Sequence, residues 1–546
     1  MPYPDRDQSD GWHERLLLEA MRMDNLSVKG RVRLNELRRK FPNHDIAVPS
    51  HLSTTAGFVG SPITESVAIT LSDKEWLQAM RTYDYGWQDS GRHTNCGMDG
   101  TAVELARVLQ GVVRSDRRRF ADLALRMELT LRPEYFDAIL EGLCSTANLT
   151  KEQRTLNDTG FEQLETEALL NVIQRVHELP DQPCGKAICT AIERMRDRDL
   201  PPEAMEILRY YAVSDPDPED DNWSKHKGDS HDFLDEVHSF GYNTVRGYAA
   251  QTIQLLLFAD YSRCEVLLPI VEMMLHDKSI AVRTCAIEAL FPIWNHDCDK
   301  AVNLFVTACR NEPVIIASRP FDKFVRYASC THYQSLRDIL LTGLNSSLEP
   351  AQTVAARQIC IAALTESRAQ ADAEVVRSGS VALRIGAAQV YSANMSDPMV
   401  GARCRDMIVQ YFHDPSDLIR KIAADCFLRL GEDAIEQHVP IIEKYLESSA
   451  FPLGLRGLLR RLEDSKNQLP DITIRIADAF LQSAGTDAGD IMNSAATEAI
   501  TVSTIVARLY TQSNDETIRS RCLDLIDKME LFGVFSMADQ LDERER

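Results

Sequence analysis

The chain of 546 residues carries 60 Lys and Arg residues against 82 Asp and Glu residues, which gives a formal charge of −22 at pH 7. This charge disfavours electrostatic binding of nucleic acid or of an anionic membrane by the protein surface as a whole. A polyanionic partner would therefore need a local basic patch. With 44% apolar and only 7% aromatic residues, the composition is typical of a packed chain of aliphatic side chains and not of a disordered one.

The cysteines and the apolar runs indicate the cellular location of the chain. The thirteen cysteines are scattered, Cys184 and Cys189 are the closest two, and no Cys-x-x-Cys pair suggests a zinc knuckle or a redox site. The odd count and the lack of a signal peptide predict a reducing, cytoplasmic location. No apolar run reaches the ~18 to 20 residues of a membrane helix, so we expect no membrane association.

The first part of the chain divides into two predicted regions. Residues 1–70 contain N-terminal helices and a connection rich in Gly and Pro, and residues 71–212 form an irregular helical-repeat domain with a loop at 84–100. Ser72 and Glu75 form a capping-box pattern before an apolar stretch. Apolar residues at helical spacing predict further helices at 101–114, 117–127, 133–144, 162–179, 186–197 and 202–212.

An acidic segment follows at residues 213–241. Five carboxylates and two prolines fall between Asp215 and Asp221, and such a stretch cannot pack as a core helix. We therefore predict a non-helical loop insertion that continues to about Gly241.

A repeated unit appears downstream of this insertion. An apolar residue, an Arg and then small and apolar residues at helical spacing occur at 244–257, 281–290 and 418–430. The step between the arginines is 36 or 37 residues within two series, Arg246 and Arg283, then Arg384, Arg420 and Arg456. This is the step of one antiparallel helix pair, and it predicts repeats over 242–435 and further helical repeats with a cap over 436–546.

Two copies of the unit carry an acidic residue just upstream, Asp277 and Asp414. A carboxylate between a turn and a helix accepts hydrogen bonds from free backbone N–H groups. We interpret these two residues, with Arg246, Arg283 and Arg420, as structural repeat residues. The pattern resembles HEAT-like repeats, which implies an all-α fold, a HEAT-like α-solenoid of antiparallel helix pairs.

Motifs for chemistry are missing from the sequence. Gly185-Lys186 lacks the first Gly and the hydroxyl of a P-loop, and there is no HExxH, GxSxG or strand-preceded GxGxxG. Three histidines lie near three aspartates in the acidic segment, and they form either a metal cluster or, as we favour, a solvated polar loop: His226, His231, His238, Asp229, Asp232 and Asp235. We expect no catalytic, cofactor-binding or metal-binding residue, and hence no enzyme.

Two sets of residues are candidates for partner binding. The acidic segment combines carboxylates with an aromatic residue, a pattern that suits a basic protein surface, and its members are Asp215, Asp217, Glu219, Asp220, Asp221 and Trp223. The densest basic cluster is Arg114, Arg117, Arg118 and Arg119. These arginines contact a phosphate or an acidic partner, or else they stabilise a helix end and pair with nearby carboxylates.

Several blocks resemble one bacterial family. They are 57–62 with 71–80, 104–109 with 119–123, 133–143, and 242–250. These blocks resemble the helical-repeat C-terminal regions of large bacterial NTPases of the STAND type associated with antiphage defence, over roughly residues 40 to 440. The resemblance implies a sensor or scaffold that docks a protein, while nucleotide hydrolysis and the effector lie elsewhere, since this chain shows no NTPase or effector module.

Two function classes follow. The favoured hypothesis is a non-enzymatic scaffold or sensor subunit of a bacterial antiviral defence system, whose partner is another protein, either a defence subunit or a phage protein. The alternative is a helical-repeat protein or enzyme acting on nucleic acid, since the architecture also resembles that of HEAT-like DNA glycosylases. The charge of −22 and the lack of a repeated Lys/Arg stripe favour the first.

Overall fold

The computed structural model describes residues 15, 18, 27–40, 60–85, 100–145, 164–219, 233–310, 312–431, 435–465, 469–489 and 494–534. These residues form α-helices, short 3-10 turns and loops, and no strand occurs among them, so the predicted all-α fold is confirmed for this part of the chain. The chain divides into two compact units, residues 1–60 with 96–100, and residues 61–95 with 101–546. The first unit contains helix α1 (Val28–Lys40), which buries Leu34 and Leu37.

The second unit begins with helices whose positions largely match the predicted ones. They are α2 (Glu65–Ala68), α3 (Asp73–Thr82), α4 (Ala102–Val113), α5 (Arg117–Ala124), α6 (Pro133–Cys144), α7 (Thr166–His177), α8 (Gly185–Arg194) and α9 (Pro202–Val213). The predicted capping box is confirmed at α3, because Glu75 Oε2 accepts from the Ser72 N–H at 2.8 Å and Ser72 Oγ accepts from the Glu75 N–H at 3.4 Å.

The helices continue through the predicted repeats and to the end of the described chain. The central ones are α10 (Phe233–Tyr242), α11 (Val245–Ala259), α12 (Cys264–Met274), α13 (Ile280–Glu288), α14 (Leu290–Trp294), α15 (Cys298–Cys309), α16 (Pro313–Ile316), α17 (Arg319–Leu344), α18 (Glu349–Thr365), α19 (Gln370–Arg377) and α20 (Val381–Asn394). The last ones are α21 (Gly401–Tyr411), α22 (Asp417–Ala424), α23 (Val439–Leu446), α24 (Leu455–Asp464), α25 (Pro470–Ala484), α26 (Ser494–Gln512) and α27 (Glu516–Leu531).

Packing in the second unit runs between helices that are close in sequence. Helix α4 packs on α6, α11 on α13, α17 on α18, and α18 on α20. Their buried side chains join into one continuous apolar core that extends from Ala68 to Val534. Such nearest-neighbour packing is what stacked helix pairs produce, because each pair buries its apolar face against the next one. None of the described helices combines the length and the apolarity needed to cross a bilayer.

Small residues set the spacing of the central helices. A Cβ atom on Gly386 of α20 would lie 2.5 Å from the Thr353 carbonyl oxygen of α18 and 2.9 Å from the Ala356 Cβ atom. A side chain at this position would therefore push the two helices apart. The small residues of the repeat unit permit the close approach that their sequence pattern predicts.

The acidic segment differs from its prediction. Residues 213–241 were expected to be non-helical, but α10 occupies Phe233–Tyr242. The reason is a short apolar face that the acidic composition upstream obscures, since Val237 is fully buried and packs with Phe240 against Ala281. Residues 220–232 lie outside the described part of the chain.

Candidate functional site

The turn before α13 shows what the repeat residues do. Arg246 of α11 makes a paired contact with the Asp277 carboxylate, with Nε to Oδ2 at 2.8 Å and Nη2 to Oδ1 at 3.1 Å. Asp277 Oδ1 also accepts from the Ser279 N–H at 2.8 Å. One carboxylate therefore closes the turn and holds the arginine of the preceding repeat, and the arginine side chain is only 2% exposed.

The same arginine holds the start of the acidic segment. Arg246 donates to the carbonyl oxygens of Asp215, at 2.6 Å, and Pro218, at 3.1 Å. The Asp217 carboxylate accepts from the Val245 N–H at 2.7 Å, at the first turn of α11. Residues 215–218 are thus fixed to the repeat by backbone and side-chain hydrogen bonds.

This geometry corrects part of the predicted partner-binding set. Asp215 is 5% exposed, and its carboxylate accepts from the Asp217 N–H at 2.9 Å, as Asp277 does with Ser279. The prediction that Asp215 faces a partner is therefore wrong, because this residue closes a turn of the repeat type. Glu219 is exposed, and the other predicted members, Asp220, Asp221 and Trp223, lie outside the described residues.

The turn before α22 repeats the arrangement with two arginines. Arg384 of α20 donates to the Asp414 carboxylate, with Nε to Oδ2 at 2.8 Å, and Asp414 Oδ1 accepts from the Ser416 N–H at 2.9 Å. Arg420 of α22 donates to the Asp414 carbonyl oxygen at 2.7 Å and pairs with Asp417. Asp414 thus connects the arginines of two successive repeats.

Two related ties belong to the same ladder, by which we mean the arginine–carboxylate pairs between neighbouring repeats. Arg283 of α13 contacts the Glu312 carboxylate at 3.0 Å. Arg337 of α17 makes a paired contact with Asp372 of α19 at 2.7 and 2.8 Å, and the Tyr333 hydroxyl donates to the same carboxylate at 2.7 Å. The hydrogen bonds from Arg337 lower the pKa of Asp372.

The sequence analysis missed the pair of Arg337 and Asp372. Their separation of 35 residues is close to the repeat step. An Arg and an Asp about one repeat apart were the available signal. Arg337, however, lacks the Ala that follows each of the repeat arginines Arg246, Arg283 and Arg420 three residues later.

The basic cluster at the start of α5 splits into two kinds of residue. Arg119 donates to the Asp73 carboxylate of α3 at 2.6 Å, and Arg117 donates to the Ser145 carbonyl oxygen at 2.5 Å. Burial lowers the pKa of Arg117. Both residues therefore join helices of the fold, and the two members that remain exposed are Arg114 and Arg118.

The histidine cluster weighed as a metal site falls mostly outside the described residues. His226 and His231 belong to this undescribed part, and His238 is buried in α10, where its Nε2 atom lies 3.7 Å from Glu288 Oε2. Within the part of the chain that the structure describes, no group of three His, Cys, Asp or Glu residues is placed to hold a metal ion.

A surface on α17 combines cationic and aromatic side chains. We call it the α17 stripe, and it consists of Arg319, Lys323, Arg326 and Tyr327, all exposed. Residues three and four apart lie on one face of a helix, so the four side chains share a face. Tyr327 is 59% exposed.

Buried aromatic rings support this stripe from behind. The Phe291 ring of α14 is 8% exposed, lies 5.9 Å from the Tyr327 ring in an edge-to-face arrangement, and has the Lys323 Nζ atom 4.7 Å from its centroid. Phe291 in turn packs on Phe324, which stacks on Phe305 at 4.2 Å. The exposed tyrosine is therefore held in place by the core.

One acidic side chain borders the stripe. Glu288 of α13 is 13% exposed, and its Oε1 atom lies 3.9 Å from Lys323 Nζ. Its Oε2 atom accepts a hydrogen bond from the Tyr242 hydroxyl, and burial raises the pKa of that phenol. Glu288 therefore offsets one of the three positive charges of the stripe, which keeps a net positive charge.

The sequence analysis did not single out the α17 stripe. The signal was present, since Arg319, Lys323 and Tyr327 recur at four-residue spacing with Arg326 beside them. Apolar residues of the same helix alternate with this set, so the segment reads as an ordinary amphipathic helix until exposure is known.

No protein-family model matches the chain, and no curated protein matches it significantly. Among solved structures, the chain is similar to one in a structure described as "Kap95p Binding Induces the Switch Loops of RanGDP to adopt the GTP-bound Conformation: Implications for Nuclear Import Complex Assembly Dynamics", with a TM-score of 0.38 and 11% identity over 86% of this chain. The match spans 62% of that chain, and at this TM-score it carries no conclusion about fold or function.

Proposed function

We propose that the chain is a non-enzymatic scaffold or sensor subunit that binds another protein through the surface of its stacked helices. The observation that carries this proposal is the exposure of Tyr327 beside Lys323 and Arg326 on a helix whose inner face is fully packed. Tyr and Arg are the side chains that most often dominate the binding energy at protein interfaces.

The ladder supports the same function by making the surface rigid. Arginine–carboxylate pairs join successive repeats at Asp277, Glu312, Asp372 and Asp414. A surface that does not rearrange on binding loses less conformational entropy, which favours affinity.

We propose that the partner belongs to a bacterial antiviral defence system or to a phage, and this rests on the resemblance of the repeat blocks to the C-terminal regions of STAND-type NTPases. A partner that supplies nucleotide hydrolysis or an effector activity fits a chain that acts as a sensor.

The test is affinity capture from host cells with and without phage infection. The wild-type chain is compared with Tyr327→Ala, which removes the exposed ring, and with Lys74→Glu, which changes an exposed residue of α3 far along the sequence from the stripe. The proposal expects one protein to be enriched by wild type and by Lys74→Glu and lost with Tyr327→Ala. Equal recovery with all three variants contradicts a role for this surface. Capture of a protein that is neither a phage protein nor a subunit with nucleotide-hydrolysis or effector activity contradicts the defence setting.

A further inference from the structure

We infer that the α17 stripe binds an acidic segment of the partner protein, one in which carboxylates flank an apolar or aromatic side chain. This inference rests on the proposed function and gives it a partner chemistry. It follows from the charge of the stripe, from the ring at its centre and from its length.

The charge of the stripe is opposite to that of the whole chain. Arg319, Lys323 and Arg326 lie within two helical turns of each other in a protein of formal charge −22. Two carboxylates border these cations, Glu288 of α13, 3.9 Å from Lys323 Nζ, and Asp322 of α17, which pairs with Arg357 of α18 at 3.0 Å. Arg357 balances Asp322, and Glu288 offsets only one of the three positive charges, so the surface keeps a net positive charge. A carboxylate on a partner therefore meets a cationic surface here, whereas most of the molecule repels it.

The aromatic ring supplies the apolar part of the contact. Tyr327 is held edge-on against Phe291, so its exposed face is presented in one orientation. A rigid ring with a hydroxyl group loses little entropy when it is covered, which makes it a suitable anchor for an apolar side chain. Lys323 and Arg326 lie four residues and one residue before Tyr327, and they then contact carboxylates next to that apolar side chain.

The length of the stripe favours an acidic protein segment over nucleic acid. Arg319 and Tyr327 are eight residues apart, which is about 12 Å along the helix. Three cations over this distance suit a few carboxylates of a peptide. Tight binding of nucleic acid uses a longer basic groove that neutralises many phosphates, and the net charge of −22 opposes it.

The experiment uses the full-length protein and a short fluorescein-labelled peptide in which glutamates alternate with phenylalanines. Binding is followed by fluorescence anisotropy at low and at high salt. Two reference probes are the same peptide with glutamine in place of glutamate and a labelled single-stranded oligodeoxynucleotide. Lys323→Glu and Arg326→Glu test the stripe, and Lys74→Glu is the control with the same change of charge on another exposed face.

The inference expects the acidic peptide to bind more tightly than the glutamine peptide and the oligonucleotide. Each charge reversal in the stripe should weaken this binding roughly three- to tenfold at low salt and less at high salt, because exposed charges are screened. Lys74→Glu should change it less than twofold, in line with the weak effect of distant exposed charges. Circular dichroism of each variant should show unchanged helix content.

Two results overturn the inference. If the glutamine peptide binds as well as the acidic one, or if Lys74→Glu weakens binding as much as Lys323→Glu, the stripe has no preference for acidic segments. If the oligonucleotide binds more tightly than the acidic peptide and loses affinity in the stripe variants, the stripe is a nucleic-acid contact. In either case the capture experiment with Tyr327→Ala decides the proposed function separately, because a neutral or a basic protein partner would still be lost there.

Discussion

The turns at Asp277 and Asp414 share one sequence element and differ in burial. At Asp277 a single arginine, Arg246, serves the carboxylate and two backbone carbonyls and is 2% exposed. At Asp414 two arginines make these contacts, Arg384 with the carboxylate and Arg420 with the backbone carbonyl, and they are 20% and 17% exposed. The same motif therefore produces one buried tie and one that water reaches.

This difference decides how much each tie contributes to stability. Removing Arg246 leaves the buried Asp277 carboxylate with the Ser279 N–H but without its cation, and it also removes the donor to two backbone carbonyls. This is costly, since the uncompensated groups stay out of water. Arg384 binds one carboxylate that is just as buried, at 6% exposed, but the arginine itself is reached by water and Arg420 still donates to the backbone of the same turn. Sequence similarity at the motif is thus a poor guide to how much each tie contributes to the free energy of unfolding.

The largest effect is expected for Arg246→Ala. We expect a loss of ~3–5 kcal/mol in the free energy of unfolding, because the carboxylate of Asp277 and the carbonyls of Asp215 and Pro218 lose their shared donor. Urea unfolding followed by circular dichroism measures it, and hydrogen exchange should show faster opening at 215–218 and 277–280. A loss under about 1 kcal/mol would mean that the tie is not buried in solution.

A smaller effect is expected for Arg384→Ala. The variant leaves Asp414 with the Ser416 N–H as a partner, and Arg420 still donates to its carbonyl oxygen. We expect a loss of ~1–2 kcal/mol by the same urea measurement. If Arg384→Ala costs as much as Arg246→Ala, burial does not explain the difference between the two turns.

The tie at Asp372 gives a pH test, and its effect should be smaller still, because Arg337 is 39% exposed and solvent screens its charge. The hydrogen bonds from Arg337 lower the folded pKa of Asp372 below its ordinary value of 3.8, so its contribution is present above that pH and is lost as the pH falls further. We expect Asp372→Asn to lower stability at pH 7 and to make it less dependent on pH below 4. Urea midpoints between pH 7 and pH 3 measure this, and parallel curves for both proteins would contradict it.

The smallest effect is expected inside the basic cluster of α5. Arg118→Ala changes an exposed side chain and should alter the free energy of unfolding by less than about 0.5 kcal/mol. Arg119→Ala is the matched comparison, because it removes the 2.6 Å contact to Asp73 and the hydrogen bond to the Leu71 carbonyl. Thermal unfolding of both variants separates them, and equal melting temperatures would show that the cluster is not divided.

Much of the fold could be predicted from the sequence, since helix periodicity and capping are local signals. The helix predicted at 133–144 is Pro133–Cys144 in the structure, and the Ser72 capping box forms as its spacing indicates. Helix α10 was missed although Phe233, Val237 and Phe240 stand at helical spacing in the sequence, because they follow a strongly acidic stretch. When composition is averaged over a longer window of sequence, the acidic residues hide a helix of only 10 residues.

The candidate site could not be predicted in the same way, because exposure depends on packing between repeats. Asp215 looked like part of an acidic partner-binding loop, yet a contact with residues about thirty positions later buries it. The sequence does not distinguish Tyr327 from the buried aromatic residues of the same helix, and only the structure shows that it is exposed. Neither fact is present in the local sequence.

The central claim is that the cations that hold the fold and the cations that bind a partner are separate sets. One paired measurement tests it most directly, the urea midpoint and the affinity for the acidic peptide of Arg246→Ala and Lys323→Glu under conditions where both are folded. The account predicts that Arg246→Ala lowers the midpoint and keeps the affinity, whereas Lys323→Glu, which removes only a partly exposed contact to Glu288, lowers the midpoint much less and weakens the affinity. A lowered midpoint in Lys323→Glu equal to that of Arg246→Ala, with unchanged peptide affinity, would contradict it.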